Sequence, residues 1–392
     1  MTGKSFFVRM SYSMVVTACA SSPLAATSAV AGTANPFLPE YRVSSTIPSN
    51  GDLNPYGVAF VPSGFPNGGK ISPGDVLVSN FNDINNCQGQ GTTIIQYTPS
   101  TSNDSVASPG TATQFFSSPQ LGLSTALGVL KGGFVIVGNV PSGPETMGSS
   151  GVICSSTALT GVLQIIDRHG KLNAPPLKDN TGENYFDSPW DLLVANDNGS
   201  TAQLFVSNVL SGTVGRLDLA ISPSGVTVQR MFVVAKGYTT MPSSAAFRLG
   251  PTGLALDQSG NLFVASTFDN KIFKVPNASK PVPPAPTMGT VVFSDSHLRG
   301  PLALVLTPNG TLLTANGDAV NADSPDGLAH PSEIVEFSTG GQFIRELNIE
   351  ATQGGAFGLA INTNTNTVFN FAAVDDITNS VIIRASQTGN HD

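Results

Sequence analysis

Short apolar segments, separated by glycine, asparagine, serine and proline, recur along most of the chain. The clearest unit is residues 251–266, PTGLALDQSGNLFVAS, which reads as a strand, a tight turn at Ser259 and Gly260, and a second strand. The following NKIFKV supplies a third strand. Short runs rich in Val, Ile, Leu and Phe and bounded by turn residues are typical of β-strands. Since no helical apolar period of useful length competes, the pattern predicts an all-β chain.

The same unit occurs six times. The copies begin near residues 55, 124, 189, 251, 301 and 356. Each copy continues to a third strand and several continue to a fourth, as at residues 226–234 and 290–293. Four antiparallel strands repeated radially form a β-propeller. The prediction is a single six-bladed propeller domain over residues 32–392, built of four-stranded antiparallel blades.

The two ends of the repeated region complement each other. The last copy has no fourth strand after it, and residues 41–47 (YRVSSTI) form a strand without a partner before the first copy. We expect this N-terminal strand to complete the last blade. Closing the ring in this way hides edge strands that would otherwise pair with other chains.

The first 31 residues read as an export signal and lie outside the predicted propeller domain. Lys4 and Arg9 precede a short apolar stretch, and cleavage is expected after Ala31. A competing interpretation is a bacterial lipobox that makes Cys19 a lipid anchor. The prediction is an exported protein, periplasmic or secreted, with a lipoprotein of the cell envelope as the alternative. No other stretch is long and apolar enough to span a membrane.

Composition narrows the function class. Only 11% of residues are charged, and the formal net charge is −8. The low charge content excludes a coiled coil. The acidic balance argues against nucleic acid, because phosphate contacts need a basic face. We expect a monomer whose partner is a protein or a small molecule.

Two cysteines remain after cleavage at the signal, Cys87 and Cys154. Both fall in loops on the same face of neighbouring blades. Disulfides persist in exported proteins, where free thiols are unusual. The sequence therefore predicts a Cys87–Cys154 disulfide.

The motif PTGLALDQSGNLFVAS followed by NKIFKV resembles the NHL-repeat class of six-bladed propellers, over roughly residues 41–386. The wider superfamily includes calcium-dependent lactonases and gluconolactonases, strictosidine synthase-like proteins, streptogramin lyases and non-enzymatic binders. The resemblance therefore implies the fold and leaves several functions open. Calcium is the one cofactor that it suggests.

Loops that enter the first strand and leave the second strand of each blade share one face, and here they are the long, polar ones. Function tends to lie on the loop-rich face of a scaffold. Second strands on this face end at Asn80, Asn139, Asn208, Ser266 and Asn316, with Ala372 in the sixth blade. These side chains either form a polar ring for a cation or ligand, or bond nearby backbone as asparagine does in turns.

The resemblance also allows a test of the lactonase metal site. In gluconolactonase-like proteins, Asn or Asp commonly precedes the glycine that opens the first strand in some blades. The matching positions here are Tyr56, Thr125, Trp190, Thr252, Leu302 and Phe357. None is a carboxylate or an amide, so the chain departs from that pattern. Trp190 reads either as a core or channel-lining aromatic or as a ligand-stacking platform, and Tyr56 and Phe357 at the equivalent positions allow an aromatic-lined mouth.

Ionisable residues concentrate in the fifth blade. They are Asp295, His297, Arg299, Asp318, Asp323, Asp326 and His330. Either histidine could act as a base oriented by a neighbouring Asp, and the alternative is a solvated surface loop. Residues 321–327 partly echo a calcium loop but lack its spacing and its terminal Glu.

These observations predict a binding module that uses its loop-rich face. The alternative is a metal-dependent lactonase-like hydrolase or lyase-like enzyme with its site at the central channel. The predicted ligand-binding residues are Tyr56, Asn80, Asp83, Asn139, Trp190, Asn208, Ser266, Asn316, Asp318 and Phe357. The predicted metal ligands are Asn80, Asn208, Asn316 and Asp323. For an enzyme, the predicted catalytic residues are His297 and His330.

Overall fold

Glycines with positive φ end the apolar runs and turn the chain back on itself. Gly133, Gly260 and Gly310 have φ values of 99°, 79° and 79°, and each lies in a tight turn between consecutive strands. Residues with a Cβ rarely adopt this conformation. The turn residues therefore fix where each strand ends.

The computed structural model describes residues 41–99, 112–149, 151–243, 246–317, 331–363 and 369–385. All of them belong to one compact unit, Pro39–Asp392. No helix in these ranges has the length and hydropathy needed to cross a membrane.

The described strands group into six blades. Blade one contains β2 (Leu53–Phe60), β3 (Val76–Asn82), β4 (Thr93–Tyr97) and β5 (Thr113–Ser117). Blade two contains β6 (Leu123–Leu130), β7 (Phe134–Val140) and β10 (Leu163–Asp167), with a hairpin of β8 (Thr146–Gly148) and β9 (Gly151–Ile153) inserted before β10. Blade three contains β11 (Pro189–Ala195), β12 (Thr201–Asn208), β13 (Thr213–Ser222) and β14 (Gly225–Lys236).

A second inserted hairpin separates blades three and four. It consists of β15 (Met241–Ser243) and β16 (Phe247–Leu249). Blade four contains β17 (Pro251–Leu256), β18 (Leu262–Ser266), β19 (Lys271–Val275) and β20 (Thr290–Phe293). Blade five contains β21 (Pro301–Leu306), β22 (Thr311–Asn316), β23 (Pro331–Ser338) and β24 (Phe343–Gln353). Blade six contains β25 (Ala356–Ile361), β26 (Phe369–Asp375), β27 (Ser380–Ala385) and β1 (Tyr41–Ser45).

Blade two differs from the other blades in the segment that takes the place of its fourth strand. Three of its strands pair as a sheet, and the segment after β10 adds isolated bridges from Leu163 to Leu177 and from Ile166 to Leu172. The other five blades are four-stranded antiparallel sheets. The predicted six-bladed, all-β propeller is confirmed.

The ring closes through the N-terminal strand, as the sequence predicts. Strand β1 pairs antiparallel with β27, from Tyr41 opposite Arg384 to Ser45 opposite Ser380. Thr46 continues the contact, because its N–H and its hydroxyl both donate to the Asn379 carbonyl at 2.9 Å. The six first strands also contact one another in a closed cycle around the centre. Each first strand is therefore an inner strand of the ring.

Removing the closing strand should open the ring. A chain that begins at residue 47 leaves the edge of β27 unpaired, and we expect the melting temperature to fall by roughly 5–10 °C. The matched control begins at residue 39 and retains β1. Scanning calorimetry, with light scattering to follow edge-driven association, measures the difference. Equal melting of the two chains would contradict the role of β1 in closure.

Candidate functional site

One side of the ring carries the longer loops. Because neighbouring strands are antiparallel, the loop entering the first strand of each blade and the loop leaving its second strand lie on the same side. We call this side the loop face. Both inserted hairpins, β8–β9 and β15–β16, belong to loops of this face. The Cys87–Cys154 disulfide is present there, with a Cα–Cα distance of 5.2 Å, and joins the loops after β3 and β7.

Three aromatic side chains meet at the centre of the ring, and we call them the aromatic plug. They are Tyr56 of blade one, Trp190 of blade three and Phe357 of blade six. The ring centroids of Tyr56 and Trp190 lie 5.6 Å apart in an edge-on arrangement, and those of Tyr56 and Phe357 lie 5.5 Å apart. All three residues are buried, with exposed fractions of 2–6%. The structure thus brings together the three aromatic residues that the sequence selected.

A bulge in each inner strand aims these side chains inward. The pairing register shifts at Pro55/Val58 in β2, at Pro189/Asp191 in β11 and at Ala356/Leu359 in β25. A bulge inserts unpaired residues and re-aims their side chains. Gly358 lets the strands approach, since a Cβ there would lie 1.8 Å from the Tyr56 carbonyl oxygen.

A hydrogen bond joins two members of the plug. The Trp190 indole Nε1–H donates to the Tyr56 hydroxyl at 2.8 Å, and both groups are buried. Burial raises the pKa of Tyr56 well above its ordinary value, so the hydroxyl stays neutral. The indole has no other polar atom, so this contact satisfies its full hydrogen-bonding capacity.

Apolar side chains from the surrounding loops cover the plug. Val209, Phe247 and Leu249 belong to the same buried cluster as the plug residues. Phe247 of the β15–β16 hairpin lies close to blade one, because a Cβ at Gly89 would be 2.9 Å from its ring. Within the described residues, side chains therefore fill the centre of the ring towards the loop face.

The asparagines that end the second strands are buried and bonded to backbone. Each amide nitrogen donates to a carbonyl in the segment that enters the same blade: Asn80 to Thr46, Asn139 to Gln120, Asn208 to Tyr185 and Asn316 to His297, at 2.8–3.2 Å. In blade four, the Ser266 hydroxyl donates to Asp269 instead. The turn-type bonding that the sequence left open is thus observed in four blades.

The amide oxygens bear on the predicted cation site. Those of Asn139, Asn208 and Asn316 accept backbone N–H groups from Val162, Ser188 and Arg299. The Asn80 Oδ1 atom is buried and has no partner among the described residues. Cation binding by these asparagines stays a prediction. Of the four amide oxygens, only that of Asn80 has no hydrogen-bond partner among the described residues.

Two carboxylates meet beside the disulfide. One oxygen each of Asp83 and Glu145 and the Cys87 sulfur all lie within 4.8 Å of one another. Asp83 Oδ1 also accepts the N–H groups of Asn85 and Cys87, which shapes the loop after β3. Hydrogen bonding to the Asp83 carboxyl, and then burial, raises the pKa of Glu145.

This group fits calcium poorly. The Cys87 sulfur is held in the disulfide and supplies no thiolate. Calcium takes about six to eight oxygen ligands, of which the two carboxylates are only a part. The described residues around Asp83 and Glu145 therefore do not form a complete calcium site.

The fifth-blade cluster is only partly within the described residues. His297 Nδ1 lies 3.2 Å from Asp295 Oδ1, and its ring stacks on Phe343 at 3.7 Å. Arg299 pairs with the buried Glu333 at 2.9 Å. Asp318, Asp323, Asp326 and His330 lie outside the described residues. The catalytic role predicted for His297 and His330 stays a prediction.

Asp191 is a residue that the sequence reasoning missed. It is half-buried next to the plug, and its carboxylate accepts the N–H of Leu254 in the next blade at 2.8 Å and that of Leu192 at 2.9 Å. Burial raises its pKa to about 7. An alignment of the six copies would have revealed Asp191, because it is the one charged residue at a position where the other copies have a small one. Those residues are Gly57, Ala126, Gly253, Ala303 and Gly358.

Comparison with known proteins supports the fold alone. No protein-family profile and no curated protein matches the chain. A solved structure of a proposed gluconolactonase is 13% identical with a TM-score of 0.50, covering 90% of this chain and 93% of its own. Virginiamycin B lyase from Staphylococcus aureus, in a catalytically inactive form, is 11% identical with a TM-score of 0.47, covering 88% and 100%. Regucalcin, a calcium-binding protein from Agrobacterium tumefaciens, is 12% identical with a TM-score of 0.47, covering 87% and 95%.

The plug hydrogen bond should stabilise the ring measurably. Tyr56→Phe keeps the ring packing but leaves the buried Trp190 N–H without an acceptor, which costs about 1–3 kcal/mol. Urea unfolding followed by the fluorescence of the single tryptophan measures the loss. The matched control is Tyr185→Phe in a half-buried loop position. Equal unfolding free energies for the two variants would show that the bond contributes nothing.

Asp191 should make stability depend on pH. Its pKa is raised from 3.8 to about 7, so between these values the folded chain holds a proton that the unfolded chain has lost. Stability from this group is therefore present at low pH and falls as the pH rises towards 7. Asp191→Asn should flatten that part of the curve, measured by urea unfolding from pH 4 to pH 8. An unchanged difference between variant and wild type across this range would contradict the raised pKa.

Proposed function

We propose that this protein is a binding propeller that takes a partner protein or a small ligand on its loop face. The observation that carries the proposal is a contrast between two parts of this face. The centre is filled by the aromatic plug and its cover, whereas the surrounding loops expose large apolar side chains. Contiguous apolar exposure on a folded protein marks an interaction site more often than chance.

Of the twelve large apolar side chains exposed among the described residues, seven lie in loops of this face, two lie in turns of the opposite face, and Val291, Ile344 and Leu347 lie in the outer strands β20 and β24. Seven exposed residues of its loops are Ile84, Met147, Val152, Ile153, Leu159, Met241 and Ile377. Met147, at the tip region of the β8–β9 hairpin, is 80% exposed. On the opposite face, Leu172 and Val282 are exposed in turns of different blades. Single exposed apolar residues of that kind are ordinary.

The disulfide supports the same proposal in two ways. It ties the loop after β3 to the loop after β7, so that neighbouring blades present one connected surface. A loop surface held in one conformation loses less entropy when it binds. Disulfides also persist in oxidising compartments, which supports an exported protein.

An enzyme is the second candidate, and Asp191 favours it. This carboxyl has a pKa of about 7 and acts on the nearby Tyr56 hydroxyl by its charge. A carboxyl with such a pKa can serve as a general acid or base. Substrate would have to displace the cover to reach it. A lactonase-like or lyase-like reaction, with calcium or without it, would then take place at the centre of the ring.

A capture experiment separates the two candidates. Wild-type protein, the variant Met147→Ser/Ile153→Ser and the opposite-face control Val282→Ser are used to capture partners by cross-linking from the cells that produce the protein. We expect one partner to be recovered by the wild type and the control and lost by the double variant, because the variant removes apolar area from the loop face. All three proteins must melt alike.

The enzyme candidate is tested in parallel. Glucono-lactone hydrolysis is measured with wild type and Asp191→Asn. We expect no turnover above buffer. The enzyme candidate would replace the binding proposal if turnover depends on Asp191 and the loop-face double variant recovers the partner as well as the wild type does.

A further inference from the structure

Exposed apolar residues and carboxylates share one sector of the loop face, formed by blades six, one and two. We call this sector the acidic apolar surface. Its apolar members are Ile84, Met147, Val152, Ile153 and Ile377, and its acidic members are Asp83, Glu145 and Asp376. The sector is defined by residues of the loop after β26, the loop after β3 and the β8–β9 hairpin.

Specific contacts hold these loops together. The Cys87–Cys154 disulfide joins the loop after β3 to the end of the hairpin. The Asn379 side chain accepts the Asn54 N–H at 2.7 Å, which joins blade six to blade one. Ile84 packs against the segment before β2, since a Cβ at Gly51 would lie 2.7 Å from its Cδ1 atom. These contacts therefore hold the three loops of the surface against their neighbours.

The charge of this surface has one sign. The segments 48–54, 81–92, 140–160 and 376–379 contain Asp83, Glu145 and Asp376, together with the buried Asp52, and have no Lys or Arg. Like charges on one surface create a negative potential that attracts cations from solution. An acidic surface repels anionic lipid headgroups and nucleic acid phosphates. A second copy of this chain, with its net charge of −8, would bring like charges together.

The Asp83–Glu145 pair brings two carboxyls of this surface close together. One oxygen of each carboxyl lies within 4.8 Å of the other, and hydrogen bonding to the Asp83 carboxyl raises the pKa of Glu145. The Glu145 Oε1 atom is shielded from solvent and accepts no hydrogen bond among the described residues. Met147 and Ile84 flank the pair in sequence and are 80% and 66% exposed. A cationic group between the carboxylates would relieve their repulsion while an apolar neighbour covers the flanks.

From this arrangement we infer that the acidic apolar surface binds a polypeptide segment of the partner in which Lys or Arg residues alternate with large apolar residues. The inference rests on the proposed binding function and specifies the chemistry of the partner. One cation of the segment sits at Asp83 and Glu145, and its apolar side chains cover Ile84, Met147 and Ile153. Charge supplies specificity and salt dependence, and the apolar contacts supply affinity.

A random peptide library displayed on phage tests the inference without knowledge of the partner. The library is selected on the wild-type protein and counter-selected on Ile84→Ser/Met147→Ser, with Val282→Ser as the opposite-face control. We expect the surviving sequences to combine Lys or Arg with Leu, Ile, Phe or Trp. They should bind the wild type and the control and not the double variant.

One synthetic peptide of the selected sequence then tests the carboxylate pair. Glu145→Gln should weaken its binding about fivefold, which corresponds to ~1 kcal/mol, and raising the salt concentration should weaken it further. The matched control is Glu183→Gln, an exposed glutamate of the loop before blade three. It removes the same charge from the same face outside the surface and should leave the affinity unchanged.

The outcomes distinguish failure of this inference from failure of the proposed binding function. Face-dependent peptides without cationic residues would overturn the inference and leave the binding function standing. Failure to select any face-dependent peptide would count against both. Calcium alone is a further probe. If calcium raises the melting temperature of the wild type but not of Glu145→Gln, and also prevents the peptide from binding, the carboxylate pair is a metal site and the inference is overturned.

Discussion

A buried hydrogen bond between the Trp190 indole and the Tyr56 hydroxyl joins blades one and three across the centre of the ring. Phe357 packs against Tyr56 from blade six, so three blades contribute to one contact. Large side chains can meet there only if the ring is closed at the right diameter and the inner strands are bulged. Closure by β1 and the bulges in β2, β11 and β25 supply these conditions. Because the centre is filled, the accessible surface of the loop face lies on the surrounding loops, and we expect the function to reside there.

The repeat made most of the fold predictable. Each copy encodes two strands and a tight turn, and such local units can be read from apolar runs and turn residues. The unpaired strand at the start of the chain and the missing strand at its end indicated closure, because an open edge would be a liability. The Cys87–Cys154 disulfide followed from the parity of the strands, which brings the loops after β3 and β7 to one face.

Other features depend on contacts that no local pattern encodes. Whether Asn139 turns its amide to a ligand or to backbone depends on the carbonyl of Gln120, which the loop entering the blade brings near. The same is true of Asn208 and Asn316. Asp191 stands out only when the copies are aligned and its neighbours in blade four are known. The hairpins β8–β9 and β15–β16 have strands of three residues each, too short to give a periodic signal.

The loop face has a closed centre and a rim of loops tied together by the disulfide and by hydrogen bonds. The centre combines aromatic packing with one polar contact, which favours a single arrangement of the inner strands. The rim combines a disulfide, exposed apolar side chains and carboxylates, and these are the features on which the proposed binding function rests. Because the fold alone does not set a function, the side chains at the centre and on the rim decide what this propeller can do.

Acrylamide quenching of the single tryptophan tests the closed centre most directly. Trp190 is 2% exposed, so we expect its fluorescence to be protected from the quencher in the folded protein and to become accessible only on unfolding in urea. Quenching in the native protein as strong as in the unfolded chain would show instead that the centre of the ring is open to small solutes.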